Sequence, residues 1–253
     1  MSSPQIGMPQ RLKLVISYDG AHFAGWQSQR HGNTVQDHLE RAFHRVTGQR
    51  VRVHGAGRTD AGVHALAQCA HADVNEQLTP DRWTAALNSS LPAQLRVLHC
   101  QRVGDDFHAR FSASGKVYRY RIWSGKILPP LEYGRAWHLP RDLDLKEMKK
   151  AGEHFVGRHD FADFAANRGH AEHDTVRTIR RVSVGRKGFT WTLEFDGDGF
   201  LYKMVRLMVG ALTECGSGKI SEEDVASRVH RAGKSGTRFA APAGGLYLVR
   251  VRY

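Results

Sequence analysis

The stretch Gly57–Ala65 reads GRTDAGVHA and places an arginine and an aspartate two residues apart, between two glycines. Glycine tolerates backbone angles that other residues resist, so Gly57 and Gly62 predict a tight loop. If the segment between them is extended, Arg58 and Asp60 project to the same side. A guanidinium that close keeps a carboxylate ionised, which makes Asp60 a candidate nucleophile. Aspartate is also a common turn former, so local chemistry leaves both interpretations open.

Composition indicates a folded protein of a reducing compartment. Hydrophobic residues make up 41% of the 253 residues, enough for one large domain or two of ordinary size. No apolar run is long enough for a membrane helix, and Met1–Gly7 does not have the pattern of a secretory signal. The three cysteines, Cys69, Cys100 and Cys215, are far apart, which favours a cytoplasmic location over a disulfide framework.

The charge balance predicts a polyanionic partner. The formal net charge is +12, and arginine supplies most of the basic residues, with the larger surplus in residues 106–253. Arginine binds phosphate with two hydrogen bonds and stacks on bases, so nucleic acid is the expected partner. His170 and His173 form an HxxH pair with no accompanying cysteine or second histidine pair, so we expect a solvated loop there and no metal site.

Hydrophobic periodicity predicts an α+β fold in two similar halves, residues 1–105 and 106–253. The first half reads strand, helix, strand, strand, helix, strand, and the second repeats this order with one extra helix. Each half is expected to form an antiparallel sheet covered by helices on one face, with a catalytic cleft between the halves. The same periodicity predicts a short strand beginning at Val51, a helix from Leu145 to Val156, and a helix from Leu201 to Leu212.

Eight pieces of sequence, taken together and in order, resemble the bacterial-type tRNA pseudouridine synthase A family along nearly the whole chain. They are YDG at 18–20, GWQ at 25–27, GRTDAGVHA at 57–65, Asn88 with Leu91–Pro92, DFHARFSA at 106–113, KVYRY at 116–120, MVR at 204–206 with VG at 209–210, and GLYLV at 245–249. Two departures stand beside them. Ala72 and Asp73 lie where the family often has an aromatic residue, and Leu207 lies where it often has asparagine.

The resemblance implies an enzyme that isomerises uridine to pseudouridine at positions 38, 39 and 40 of the tRNA anticodon stem-loop. It implies the pseudouridine synthase fold, a homodimer whose bound tRNA touches both subunits, and no metal or small-molecule cofactor. The first half would carry the catalytic loop. The second would carry a base-stacking tyrosine and a surface for RNA binding and dimer formation.

The resemblance also assigns roles to single residues. Asp60 would be the catalytic aspartate, and Arg58 would pair with it and help to hold the nucleotide out of the helix. Tyr118 would pack on the target uracil, while Arg206 and Leu248 would contact the substrate. The RNA-contacting segment would comprise Phe107, His108, Ala109, Arg110 and Phe111.

Each assignment has a plainer alternative from the residues alone. Tyr118 is favoured in any strand and suits a sheet core, and the segment 107–111 suits an ordinary surface loop. Arg206 interrupts an apolar helix face, so it either pairs structurally with a carboxylate or points at substrate.

Two other functions fit the basic charge. A non-catalytic tRNA-binding protein or RNA chaperone would need the basic surface only, and Asp60 would then weaken phosphate binding by repulsion. A metal-dependent nucleic-acid hydrolase would need several clustered carboxylates, whereas those near Asp60 are isolated in the sequence. The carboxylate beside Arg58 therefore favours an isomerase.

Overall fold

The computed structural model describes residues 9–30, 32–166, 174–230 and 239–253. The N-terminal segment Met1–Gly7 and the HxxH pair of His170 and His173 lie outside these residues. The chain forms two compact units. The first runs to Ser114 and includes the final segment Leu248–Tyr253, and the second runs from Gly115 to Tyr247. The sequence-based division between residues 105 and 106 concerns functional halves and stays a prediction.

The first unit contains all six elements predicted for the first half, in the predicted order. Its elements are β1 (Gln10–Tyr18), α1 (Val35–Thr47), β2 (His54–Gly55), β3 (His64–Val74), α2 (Pro80–Ser90), β4 (Leu95–Val103) and the greater part of β10 (Leu246–Arg252). The strand order is β4-β1-β3-β10, with β2 paired to β3. Strand β1 is antiparallel to both neighbours, so that Leu14 lies opposite Ala70 on one side and Cys100 on the other.

The alternation of apolar with polar or smaller residues explains strand β1, and a capping box explains where helix α1 begins. Leu12, Leu14 and Ile16 are fully buried, as expected for one face of a strand. Thr34 and Asp37 exchange side-chain-to-backbone hydrogen bonds, which fixes the start of α1. The buried face of α1 includes Phe43, whose ring centre lies 5.7 Å from that of Trp83 in α2.

The strand predicted to begin at Val51 begins at His54, because side chains of α1 bind the backbone of Val53. Only His54–Gly55 forms β2. The backbone N–H of Val53 donates to Glu40, and its carbonyl accepts from Gln36, both on α1. These side chains satisfy the backbone groups that a longer ladder would have used.

The second unit contains five complete strands and three α-helices in the part of it that the structure describes. They are β5 (Gly115–Trp123), β6 (Trp137–His138), α3 (Leu145–Glu153), β7 (Gly157–Asp160), β8 (Val176–Lys187), β9 (Thr190–Gly197), α4 (Met204–Gly216) and α5 (Glu222–His230). The strand order is β5-β9-β8-β7. These pairs are antiparallel, whereas β6 pairs with β5 in parallel.

Three helix boundaries predicted in this unit were wrong, and one of them is the end of α4, which lies at Gly216 instead of Leu212. Helix α4 begins at Met204, because Lys203 adopts a left-handed conformation with φ 58° that cannot continue a right-handed helix. Helix α3 ends at Glu153, ahead of the buried Phe155. The mixed α+β class is confirmed, and the cleft between the halves stays a prediction.

Candidate functional site

The GRTDAGVHA segment forms most of the connection from β2 to β3 in the first unit, and its last two residues begin β3. Arg58 is exposed and Asp60 is partly exposed, whereas Thr59 between them is buried. A turn follows Asp60, whose carbonyl accepts a hydrogen bond from the Val63 N–H at 3.1 Å. The polar pair therefore faces outward from a loop whose intervening residue faces inward, as expected for an extended segment.

The turn uses one of the two glycines predicted to shape it. Gly62 has φ 81°, in the left-handed region that glycine adopts without strain. Gly57 does not have a positive φ, so the prediction that it adopts backbone angles that other residues resist was wrong. Its carbonyl instead accepts a hydrogen bond from the Gln68 side chain of β3, at 3.0 Å.

The GWQ segment at residues 25–27 lies directly against the Asp60 loop. The backbone N–H of Trp26 donates to the Thr59 carbonyl at 3.0 Å. Gly25 has φ 93°, and a β-carbon added there would lie 2.8 Å from the same carbonyl oxygen. The carbonyls of Gly25 and Trp26 also accept the N–H groups of Val35 and Gln36 at the start of α1. This segment thus connects the loop that carries Asp60 to the first helix.

The segment 107–111 divides into an exposed tip and a buried anchor, also within the first unit. Phe111 is 76% exposed, and the guanidinium carbon of Arg110 lies 5.8 Å from the centre of its ring. Ala109 is fully buried, with its N–H donating to Nδ1 of His71 and its carbonyl accepting from the Tyr253 hydroxyl. A cationic, aromatic tip on a fixed base suits contact with RNA.

The ring of His108 in this segment packs with the rings of His71 and His54. His71 stacks on His54 with ring centres 5.0 Å apart, and lies 4.6 Å from His108. Nδ1 of His108 accepts the N–H groups of Arg110 and Phe111. Burial lowers the pKa of His71 to about 4, reinforced by His108, His54 and Arg11 and opposed by Asp73. The segment is therefore held by imidazole nitrogens that must be unprotonated to accept these bonds.

Acidification is expected to destabilise the protein through His71. In an unfolded chain the pKa of a histidine is about 6.5, whereas that of folded His71 is about 4. Between these two pH values the unfolded state therefore binds a proton at this residue and the folded state does not. The free energy of unfolding should fall with pH across that window by up to about 1.4 kcal/mol per unit. In His71→Asn, the amide oxygen replaces Nδ1 as acceptor but does not titrate.

Urea unfolding of wild type and His71→Asn at pH 7, 6 and 5 measures this contribution. The stability difference should shift in favour of the variant as the pH falls. The matched control is His99→Asn, which removes an exposed histidine of β4 and should leave the difference constant. A His71→Asn difference that does not change with pH would contradict the assignment.

Leu248 lies in β10 and is 1% exposed. In this position its side chain belongs to the packed interior, and its predicted contact with substrate stays a prediction. The two departures from the family pattern are likewise accommodated by packing, since Ala72 is fully buried opposite Leu12 of β1 and Leu207 is buried in α4.

Tyr118 and Arg206 belong to the second unit. Tyr118 of β5 is buried and meets Phe200 edge to face, with ring centres 5.1 Å apart. Arg206 of α4 is half-buried, its Nε donates to the Ala241 carbonyl at 2.6 Å, and its own carbonyl accepts the Ala241 N–H. Burial raises the pKa of the neighbouring Tyr120, and the Arg206 charge opposes that rise.

Within the described ranges, no group of three or more histidine, cysteine, aspartate or glutamate side chains is arranged to hold a metal ion. The three cysteines are buried free thiols. No helix among the same residues is long and apolar enough to cross a membrane.

Comparison with known proteins identifies the class. A family model described as tRNA pseudouridine synthase matches residues 14–112 and 151–253. The chain therefore belongs to the tRNA pseudouridine synthase family and is a tRNA-modifying isomerase. Because the chain belongs to this family, the isomerase is favoured over the non-catalytic RNA-binding protein and the metal-dependent hydrolase.

Individual relatives resemble the chain from end to end. The tRNA pseudouridine synthase A of Akkermansia muciniphila is 45% identical, over 96% of this chain and 95% of that protein. The protein of the same name from Solidesulfovibrio magneticus is 46% identical, over 96% and 91%. That of Acetivibrio thermocellus is 42% identical, over 96% and 100%.

Proposed function

We propose that this isomerase converts uridine to pseudouridine at positions 38, 39 and 40 of the tRNA anticodon stem-loop, with Asp60 as nucleophile. The observation that carries the proposal is the presentation of Asp60. Its side chain is partly exposed, two residues along the chain from an exposed arginine, on a loop whose backbone is tied to neighbouring segments at Gly57 and Thr59. A carboxylate with this access and this little backbone freedom suits attack on a bound nucleoside.

The chemistry requires a carboxylate and no external reagent. The bond from ribose C1′ to uracil N1 breaks, a bond from C1′ to C5 forms, and the C5 hydrogen leaves to solvent as a proton while N1 gains one. Asp60 can attack C1′, as carboxylates do in retaining glycosidases. Attack on uracil C6 and removal of a C2′ proton are the other two routes, and all three use the same ionised oxygen.

The target base must leave its stack before a side chain can reach it. Enzymes that act on single bases extrude the nucleotide at a cost of a few kcal/mol. The exposed Arg58 is suited to fill the vacated space or to bind a phosphate. In the proposal, Tyr118 packs on the extruded uracil, where base–aromatic stacking contributes about 1–3 kcal/mol, and Arg206 and Leu248 complete the substrate contacts.

The segment 107–111 is proposed to contact the RNA outside the reacting nucleotide. Arg110 and the largely exposed Phe111 offer a charge for phosphate and a ring for a base. Ala109 is sealed beneath them, so its part is to anchor the segment. The proposal also includes pairing with a second copy of this chain and a cytoplasmic location, where tRNA is matured.

Tritium release tests the substrate assignment. Wild-type protein should release tritium from [5-³H]uridine-labelled tRNA that carries uridine at positions 38, 39 or 40. A matched tRNA with cytidine at all three positions should release tritium only at the level of a protein-free control. Equal release from both tRNAs would show that the enzyme modifies uridines elsewhere.

A further inference from the structure

A buried hydroxyl pair lies directly behind the residue proposed as nucleophile. The Tyr18 hydroxyl, at the end of β1, is 2.8 Å from Oγ1 of Thr59. Tyr18 is 4% exposed and Thr59 is 7% exposed. The two residues are far apart in sequence, so only the fold brings them together, and Thr59 immediately precedes Asp60.

A third polar group joins the pair. Gln68 of β3 is fully buried and donates to the Gly57 carbonyl at 3.0 Å. Burial raises the pKa of Tyr18 to about 12, and hydrogen bonds with Thr59 and Gln68 oppose the rise. At neutral pH the Tyr18 hydroxyl is therefore protonated and serves as a hydrogen-bonding group.

These contacts hold the same short stretch of backbone from several sides. Gln68 holds the Gly57 carbonyl, Trp26 holds the Thr59 carbonyl, and Tyr18 holds the Thr59 side chain. The Thr59 hydroxyl is the last side-chain anchor before Asp60. Rotation of the Thr59 peptide would move the Asp60 carboxylate, and the Tyr18 bond opposes that rotation.

We propose that Tyr18 is a positioning residue for the isomerisation: its hydroxyl, through Thr59, fixes the direction in which Asp60 presents its carboxylate. The inference rests on the proposed role of Asp60 and adds a buried residue that acts through Thr59. If the hydroxyl pair stabilised only the fold, its loss would lower stability and leave kcat unchanged in the folded protein. If it positions Asp60, its loss lowers kcat.

Removal of one hydroxyl is the first test. Tyr18→Phe keeps the ring and its contacts with Phe23 and Trp26, whose ring centres lie 6.3 and 6.4 Å away. Misplacement of a reacting group by about 1 Å can lower a rate about 100-fold, so kcat for tritium release should fall roughly 10- to 100-fold. KM for tRNA should stay within about twofold, because the RNA-contacting segment is untouched.

Variants at Thr59 make the test independent of the folding of Tyr18→Phe. Thr59→Val removes the partner hydroxyl at nearly constant shape and should match Tyr18→Phe, whereas Thr59→Ser keeps the hydroxyl and should retain near wild-type kcat. The double variant Tyr18→Phe/Thr59→Val should be no slower than Tyr18→Phe, since the phenylalanine alone already removes the bond to Thr59. Thr84→Val is the matched control, because its hydroxyl donates to Pro80 within α2, and it should keep kcat.

Wild-type kcat in folded Tyr18→Phe or Thr59→Val would overturn the proposal, as would a loss confined to KM. Equal losses in Thr59→Val, Thr59→Ser and Thr84→Val would mean a general loss of stability and would also overturn it. Turnover by Asp60→Asn would instead remove the nucleophile on which the inference rests. That result is obtained separately, so the two failures are distinguishable.

Discussion

Asp60→Asn should lose pseudouridine formation almost completely while tRNA binding persists. Asparagine has the shape of aspartate but no ionised oxygen, so each of the three routes open to Asp60 is blocked. Loss of a central catalytic group commonly lowers kcat by roughly 10⁴-fold or more. The partly exposed position of Asp60 means that neutralising it removes little packing. Affinity for tRNA should hold or rise slightly, because a negative charge near phosphates disappears.

Two measurements on the same protein separate chemistry from binding. Tritium release from [5-³H]uridine-labelled tRNA reports chemistry, and filter binding with the same tRNA reports affinity. Asp81→Asn is the matched control, since Asp81 is exposed in the first turn of α2 and its neutralisation should leave both readouts near wild type. Full turnover by Asp60→Asn would refute the assignment of the nucleophile.

Gly25→Ala is expected to have the second-largest effect. Gly25 has φ 93°, where a β-carbon is strained, and that carbon would lie 2.8 Å from the Thr59 carbonyl oxygen and 3.1 Å from the Ala61 nitrogen. The methyl group thus meets backbone atoms on both sides of Asp60 and must displace them. We expect a loss of stability of roughly 1–3 kcal/mol from strain and a fall in kcat of roughly 100-fold from misplacement.

Gly48→Ala separates these two contributions. Gly48 ends α1 with φ 71°, and a β-carbon there would have nothing within 4 Å. The control introduces similar backbone strain away from the Asp60 loop, so it should lower stability but keep kcat. Wild-type kcat in Gly25→Ala, or an equal kcat loss in Gly48→Ala, would contradict the proposed role of the GWQ segment. Both variants are assayed below their unfolding transitions.

Local sequence predicted the elements that depend on neighbouring residues. Hydrophobic periodicity predicted the first strand and the helix that follows it, and the GRTDAGVHA segment predicted an outward-facing Arg58 and Asp60. Local sequence could not predict the left-handed Lys203, because nothing about a lysine favours that conformation. The predicted start of this helix, at Leu201, therefore lies ahead of the observed start at Met204.

The hydrogen bonds that hold the Asp60 loop and the segment 107–111 depend on strand pairing and could not be predicted from the sequence. Tyr18 meets Thr59, and His71 meets Ala109, only because the sheet brings segments 41 and 38 residues apart into contact. The bond from the Arg206 Nε to the Ala241 carbonyl was not predicted either, because backbone acceptors carry no signal in the side-chain pattern.

The most direct measurement is a map of pseudouridine in unmodified tRNA after incubation with wild type or with Asp60→Ala. The account predicts pseudouridine at positions 38, 39 and 40 with wild type, and unmodified uridine at all three with the variant. Pseudouridine at those positions after incubation with Asp60→Ala would contradict it, and so would a wild-type map with pseudouridine only elsewhere.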